Sequence, residues 1–348
     1  MAGTEALTIE TAARISALAK KPQRMWLASC PLAQILGTGR ISPKKVAKLE
    51  QIAPVIDMHL KKAEYYKIKV NMYKPSKTQH LSPGGAITFG REFRLVPGKA
   101  YPKTSVATYT LSTLGLKTNL PAAGNEGDVN MLALEKLDAM DALFDSVESD
   151  LCAATQAESA PTSIVATILD ASKTLHDIAP GDHAAWIPDV TAMGGSRTRL
   201  AHLKAKSRYH AARGRQIGAW VGDEAAIGYL ISEAEDEGYK TMDLASMFGR
   251  DGKTGENKLY LETSIDSVKV CGAPLVPVPA LSTTAPGLVF GFPLDDLALA
   301  TVGGIDFKGP KDVSLEAAVD ETRGMISIPL IVVCYNRTTM VAFTGGKH

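Results

Sequence analysis

The chain has 348 residues, 45% hydrophobic and 22% charged, with a formal net charge of +1. It is long enough for two domains with a sizeable core, and its composition excludes a disordered polymer. Near-neutrality argues against a nucleic-acid coat dominated by basic surface. No stretch approaches the ~18 uninterrupted apolar residues of a membrane span, and the scattered Cys30, Cys152, Cys271 and Cys334 form no CxxC pair, which argues against a zinc site or a disulfide framework.

The first residues, MAGTEALTIETAARISALAKK, lack the continuous apolar core of a signal peptide, so a cytosolic origin with reduced thiols is expected. Residues 5–20 have a weak helical pattern. Ser42-Pro43 opens a second helix, with Val46, Leu49, Ile52 and Ala53 at helical spacing, and Pro54 kinks or ends it. Three segments then alternate as strands do: YYKIKVNMY, ITFGREFRLV and TSVATYTL. The polar, turn-rich KPSKTQHLSPGG lies among them. The pattern predicts a long two-stranded excursion, and because a lone hairpin is marginal in water it should rest on something else.

Residues 128–156 contain neither Gly nor Pro and predict one long helix of about 40 Å, with Asp128 as N-cap. Val129, Leu132, Leu137, Met140, Leu143, Phe144, Val147 and Leu151 form its apolar stripe. SIVATIL at 163–169 reads as a strand or a buried helical turn. Residues 221–237 read as a helix with Asp223 near its start and Gly238 as its stop. After the polar loop 249–258, strand character dominates: LYLETSI, SVKVCGAPLVPVP, GLVFGF, SLEAAV and ISIPLIVVCYNRTTMVAF.

Charge is segregated along the chain. Residues 61–103 hold ten Lys/Arg against two acids, a net of +8, whereas residues 126–158 hold nine acids against Lys136, a net of −8. Residues 197–215 carry seven Lys/Arg and no acid, and residues 221–237 carry six acids and no Lys/Arg. Matched blocks of opposite sign suit one surface made to lie on another, within a chain or between copies. Two independently solvated surfaces are the plainer alternative.

Catalytic motifs are missing. Gly252-Lys253-Thr254 is not a phosphate loop, because Met247 stands where its first Gly belongs. Thr198 breaks GxSxG after Gly194-Gly195-Ser196, and no HExxH occurs. The histidines, His176 and His183 included, read as surface or satisfied core residues. Asp182-His183 beside Trp186 is at most half of an acid–base site. No catalytic, metal or cofactor residue is assigned, and the chain does not read as an enzyme.

The order of parts carries more than any motif: an N-terminal arm, a basic two-stranded loop, a long acidic helix, a mixed region, and a return through strands. SVKVCGAPLVPVPAL, GLVFGFPLDDLALATVGGIDF and ISIPLIVVCYNRTTMVAFTGG, with a Tyr335-x-Arg337 step, carry the likeness most closely. Residues 40–348 resemble the major capsid protein of tailed bacteriophages, the HK97-type fold. The resemblance implies an α+β chain divided into an N-arm (1–60), an E-loop (61–112), a P-domain (113–162 and 291–348, spine helix about 128–156) and an A-domain (163–290). It implies self-assembly as pentamers and hexamers into an icosahedral head around double-stranded DNA, built in the host cytoplasm. Scaffold, portal and decoration proteins would be partners, DNA contact would be weak and non-specific, and no membrane would be involved.

In that family the E-loop lies across a neighbouring subunit. Lys74, Lys77, Arg91, Arg94, Lys99 and Lys103 are therefore expected to meet Glu135, Asp138, Asp141, Asp145 and Glu148 of the next copy. The 197–215 and 221–237 blocks would meet likewise around a capsomer axis. Asp320 and Ser327 stand where cross-linking members carry Asn and Glu, so covalent welding is not expected. An encapsulin-like compartment shell is the alternative within the fold, and a soluble α/β enzyme the alternative outside it.

Overall fold

The computed structural model describes residues 30–38, 65–71, 95–112, 131–180, 186–243, 266–301, 306–312 and 321–347. The helices expected at 5–20 and from Ser42, the Asp128 cap, Asp182-His183, the 249–258 loop, LYLETSI and SLEAAV lie outside them.

The first described helix, α1 (Pro31–Thr38), precedes an antiparallel hairpin of β1 (Tyr66–Asn71) and β2 (Leu95–Ala100). The third alternating segment does not join that hairpin. It forms β3 (Lys103–Ser112), which pairs along its whole length with β13 (Glu321–Cys334). The opposite edge of β13 carries β11 (Leu297–Thr301) and β12 (Asp306–Asp312) in succession, completing a four-stranded sheet. One face of β3 stays exposed at Thr104, Val106, Thr108 and Thr110, and Tyr109 is buried on the other. The β3–β13 register sets Gly324 opposite Tyr109, where a Cβ would run into the ring, so only Gly lets the tyrosine lie flat across the strand.

The long helix is α2 (Met131–Cys152), 22 residues and roughly 33 Å. Met140, Leu143, Phe144, Val147 and Leu151 form its buried stripe against β3 and α1. Each such side chain contributes about 2 kcal/mol on burial. SIVATIL is a buried π-helical turn (Ile164–Ile168), held because the Ser163 hydroxyl accepts the Ala166 N–H and donates to the Ala153 carbonyl.

A six-stranded sheet follows, in the order β4 (Asp189–Ala192), β14 (Val341–Thr344), β10 (Val289–Phe292), β5 (Ala219–Gly222), β9 (Ala273–Pro277), β8 (Lys269–Val270), while the short β6 (Met242–Asp243) and β7 (Asp266–Ser267) pair with each other. Its strands are apolar on both faces because both are covered. Ala219, Val221, Phe290, Phe292 and Ala342 face the core shared with α2 and the four-stranded sheet. Trp220, Val289, Leu275, Val341 and Phe343 face a second core under α3 (Leu200–Ala211) and α4 (Glu224–Asp236). The terminal strand β14 thus lies in this sheet, not in the four-stranded one, although residues 291–348 were expected to belong together.

The 221–237 segment divides, its first two residues ending β5. Asp223 occupies the N-cap of α4, yet its carboxylate accepts from the Ser282 hydroxyl at 2.6 Å and the Gly287 N–H at 3.1 Å, tying α4 to the chain before β10. Gly238 ends the helix with φ +83.

Candidate functional site

The hairpin register sets Lys67 opposite Lys99. Lys99 finds an acid inside the subunit. Its ammonium lies 3.9 Å from Asp177 and 4.9 Å over the Tyr65 ring, and both ends of the ion pair are largely exposed. Lys103 opens β3 opposite Leu330. Lys74, Lys77, Arg91 and Arg94 lie outside the described residues.

The base of the hairpin is clamped by a turn that the sequence does not advertise. His176 and Asp177 are both left-handed, with φ 56 and 61, a conformation that costs non-glycine residues about 1–2 kcal/mol each. The surroundings hold it there. Lys99 N–H donates to the His176 carbonyl at 2.9 Å, Cys334 N–H donates to His176 Nε2 at 3.0 Å, and the Tyr101 hydroxyl donates to Asp177 at 2.8 Å. The ring is therefore neutral with its proton on Nδ1. Burial, and then the nearby Arg337 charge, push the His176 pKa down to about 3. His176 is a buried histidine that joins the hairpin to the end of β13.

Arg337 lies fully buried next to this clamp. Its guanidinium donates to the carbonyls of Ile168 (2.9 Å), Lys173 (2.8 Å), Thr167 (2.7 Å) and Asp170. One side chain from the turn before β14 thereby satisfies the exit of the π-helical segment.

The acidic face of α2 splits in two. Asp138 and Asp145 are exposed, Glu135 and Asp141 half-buried, and none of the four forms an ion pair with a described cation. Burial, then Asp145 and Asp138, raise the Asp141 carboxyl to about 6. Glu148 does not belong to this face, which corrects the expectation. It is 3% exposed, and its two oxygens accept the N–H groups of Leu32 (2.9 Å) and Ala33 (2.8 Å), capping α1 from another helix. It is used inside the subunit and cannot meet a neighbour's hairpin.

Burial raises Glu148 to about 7 against the pull of those two N–H groups. A carboxyl whose folded pKa is raised favours the fold when protonated. That contribution is complete below the ordinary value near 4.5 and is lost as pH rises through about 7, a difference on the order of 3 kcal/mol. Glu148→Gln is expected to remove this slope. Thermal unfolding of both proteins from about pH 5 to pH 8 checks it. An identical pH dependence in the variant would refute the assignment.

The second pair of charge blocks meets within one subunit, at least in part. Lys204 pairs with Glu237, and Glu233 accepts the Leu200 N–H at 2.8 Å, capping α3 from α4. Arg197 and Lys204 lie 5.0 Å over the rings of Tyr229 and Tyr239. These contacts take residues that a capsomer-axis role had claimed.

Trp186 is buried in the core. Among the described residues no cluster of His, Cys, Asp or Glu could hold a metal ion, and no helix is long and apolar enough to cross a membrane.

No protein-family model and no curated protein matches the chain. Solved structures do. The capsid of cyanophage A-1(L) superposes with a TM-score of 0.63 at 12% identity, over 91% of this chain and 93% of that one. The chain has the HK97-type fold. The capsid of an empty GTA particle follows with a TM-score of 0.53 at 11% identity, covering 88% and 91% of the two chains. Mycobacterium phage Bobi gives 0.51 at 12% identity, covering 89% and 95%.

Proposed function

We propose that this chain is a major capsid protein, a shell subunit that assembles as pentamers and hexamers into an icosahedral head around double-stranded DNA. The agreement in fold along 91% of the chain with a phage capsid carries the reading. The surface supports it. The acidic face of α2 forms no ion pair with a described cation, and residues 61–103 around the hairpin carry a net positive charge, so opposite charges are available for a contact between two copies. Lys74, Lys77, Arg91, Arg94, Lys99 and Lys103 of one copy lie on Glu135, Asp138, Asp141 and Asp145 of the next, with Glu148 excluded. A scaffold protein and a portal complete assembly in the host cytoplasm, and packaged DNA is touched weakly and without sequence preference.

Negative-stain electron microscopy of the purified chain, alone and with candidate scaffold proteins, tests this. Closed shells or capsomer rings are expected. A monodisperse monomer under both conditions, at low and moderate salt, would overturn the reading. Particles filled with protein cargo instead of DNA would make the shell a compartment of the encapsulin kind.

A further inference from the structure

The seven Lys/Arg between 197 and 215 are not equally neutralised. Lys204 pairs with Glu237 and Lys206 with Asp189, while Arg197 and Arg213 lie over the rings of Tyr229 and Tyr209. Arg208 and Arg215 differ. Arg208 is exposed, with no ion-pair partner among the described residues. Arg215 Nη1 donates to the Thr338 hydroxyl at 2.8 Å, and that hydroxyl donates to Asn336 Oδ1 at 2.7 Å. Neutral oxygens thus hold the Arg215 guanidinium in place and leave its charge uncompensated.

Both arginines line one open cleft of about 360 Å³ at the end of α3, and no carboxylate among the described residues lines it. Ser207 is a third lining residue. It is 6% exposed, and its hydroxyl has no hydrogen-bond partner among the described residues. Buried hydroxyls are rarely left in that state. Gln216 adds an amide, and Gly214 and Cys271 complete the rim. Two uncompensated guanidinium forks beside neutral donors match a tetrahedral oxyanion.

We propose that this cleft is an oxyanion site that takes a phosphate group, with Arg208 and Arg215 supplying charge-assisted N–H donors and Ser207 and Gln216 neutral ones. The site lies within one subunit and does not depend on the assembly reading. Its phosphate comes from free phosphate or from a nucleic-acid backbone, which share this chemistry.

Cys271 is a built-in reporter. It is exposed at the rim, whereas Cys30, Cys152 and Cys334 are buried. The experiment follows iodoacetamide alkylation of Cys271 in the full chain by mass spectrometry, at constant ionic strength, with inorganic phosphate or a short DNA duplex added. Phosphate is expected to slow alkylation roughly threefold, with half-protection at about 1 mM, and Arg208→Ala to abolish the protection. Arg208 makes no ion pair that the fold needs, so that variant folds; Arg215→Ala, checked by circular dichroism, is the second. Protection by phosphate alone assigns a free-anion site. Protection by duplex at lower phosphate concentration assigns backbone phosphates. No protection by either, or equal protection in Arg208→Ala, overturns the proposal.

Discussion

Reversing Lys74, Lys77, Arg91 and Arg94 to Glu abolishes shell formation and leaves the subunit folded. Each exposed pair in the proposed contact is worth less than about 1 kcal/mol and is screened by salt, so single reversals have small effects. Four together replace attraction with repulsion at every copy of the interface, and a closed shell repeats that interface many times. The reciprocal change, Asp138→Lys with Asp141→Lys and Asp145→Lys, blocks assembly in the same way, and combining the two sets restores part of it. Light scattering during assembly and electron microscopy of the products read all three. Normal shells from either single set would exclude this contact.

The pH dependence carries the same sign. Asp141 titrates near 6 in the lone subunit because burial and two neighbouring acids disfavour its charge. A neighbour's lysines favour the charged form, so assembly releases a proton and weakens as pH falls through about 6. Asp141→Asn is expected to shift that midpoint. Assembly that strengthens on acidification would contradict the assignment.

Arg337→Ala is the most destabilising single substitution expected. The guanidinium is fully buried and satisfies four carbonyls of the 167–173 segment. Truncation strands those acceptors and leaves a cavity, a loss of about 3–5 kcal/mol and at least about 5 °C in Tm. Arg337→Lys keeps the charge but cannot reach the same set of oxygens, so it recovers only a fraction. Differential scanning fluorimetry measures both. The π-helical turn should loosen first, visible as faster amide exchange at Leu169, whose N–H bonds the Ile164 carbonyl at 2.8 Å. Wild-type Tm in Arg337→Ala would show that the guanidinium is dispensable.

Local periodicity was enough to reveal α2, α4 and the alternating strands. A helix without Gly or Pro and with one apolar stripe has few alternatives, and a strand with period-two alternation declares its inner face. The order of those elements pointed to the HK97-type fold. Glu148 was legible in principle, since it falls four residues after Phe144 on the buried stripe, where an acid signals a partner rather than a free surface. Counting it with the exposed acids ignored its place on the helix. Arg337 sat in the Tyr335-Asn336-Arg337 step that carried part of the resemblance, but nothing local showed which carbonyls it would meet.

The rest required the folded chain, because it depends on partners far apart in sequence. Alternation cannot say which strand a strand pairs with, so β3 left the hairpin for β13, and β14 joined the six-stranded sheet. Charge composition cannot say whether opposite blocks meet in one copy or between two. The 197–215 and 221–237 blocks meet partly within the subunit through Lys204 and Glu237, whereas the exposed acids of α2 form no ion pair with a described cation. Sequence determined the elements and their order, since those follow from near-neighbour sterics and periodic burial. Tertiary structure alone decided which charges are spent inside the subunit, because that depends on distances of a few ångströms between residues more than a hundred positions apart, as Glu148 and Leu32 show.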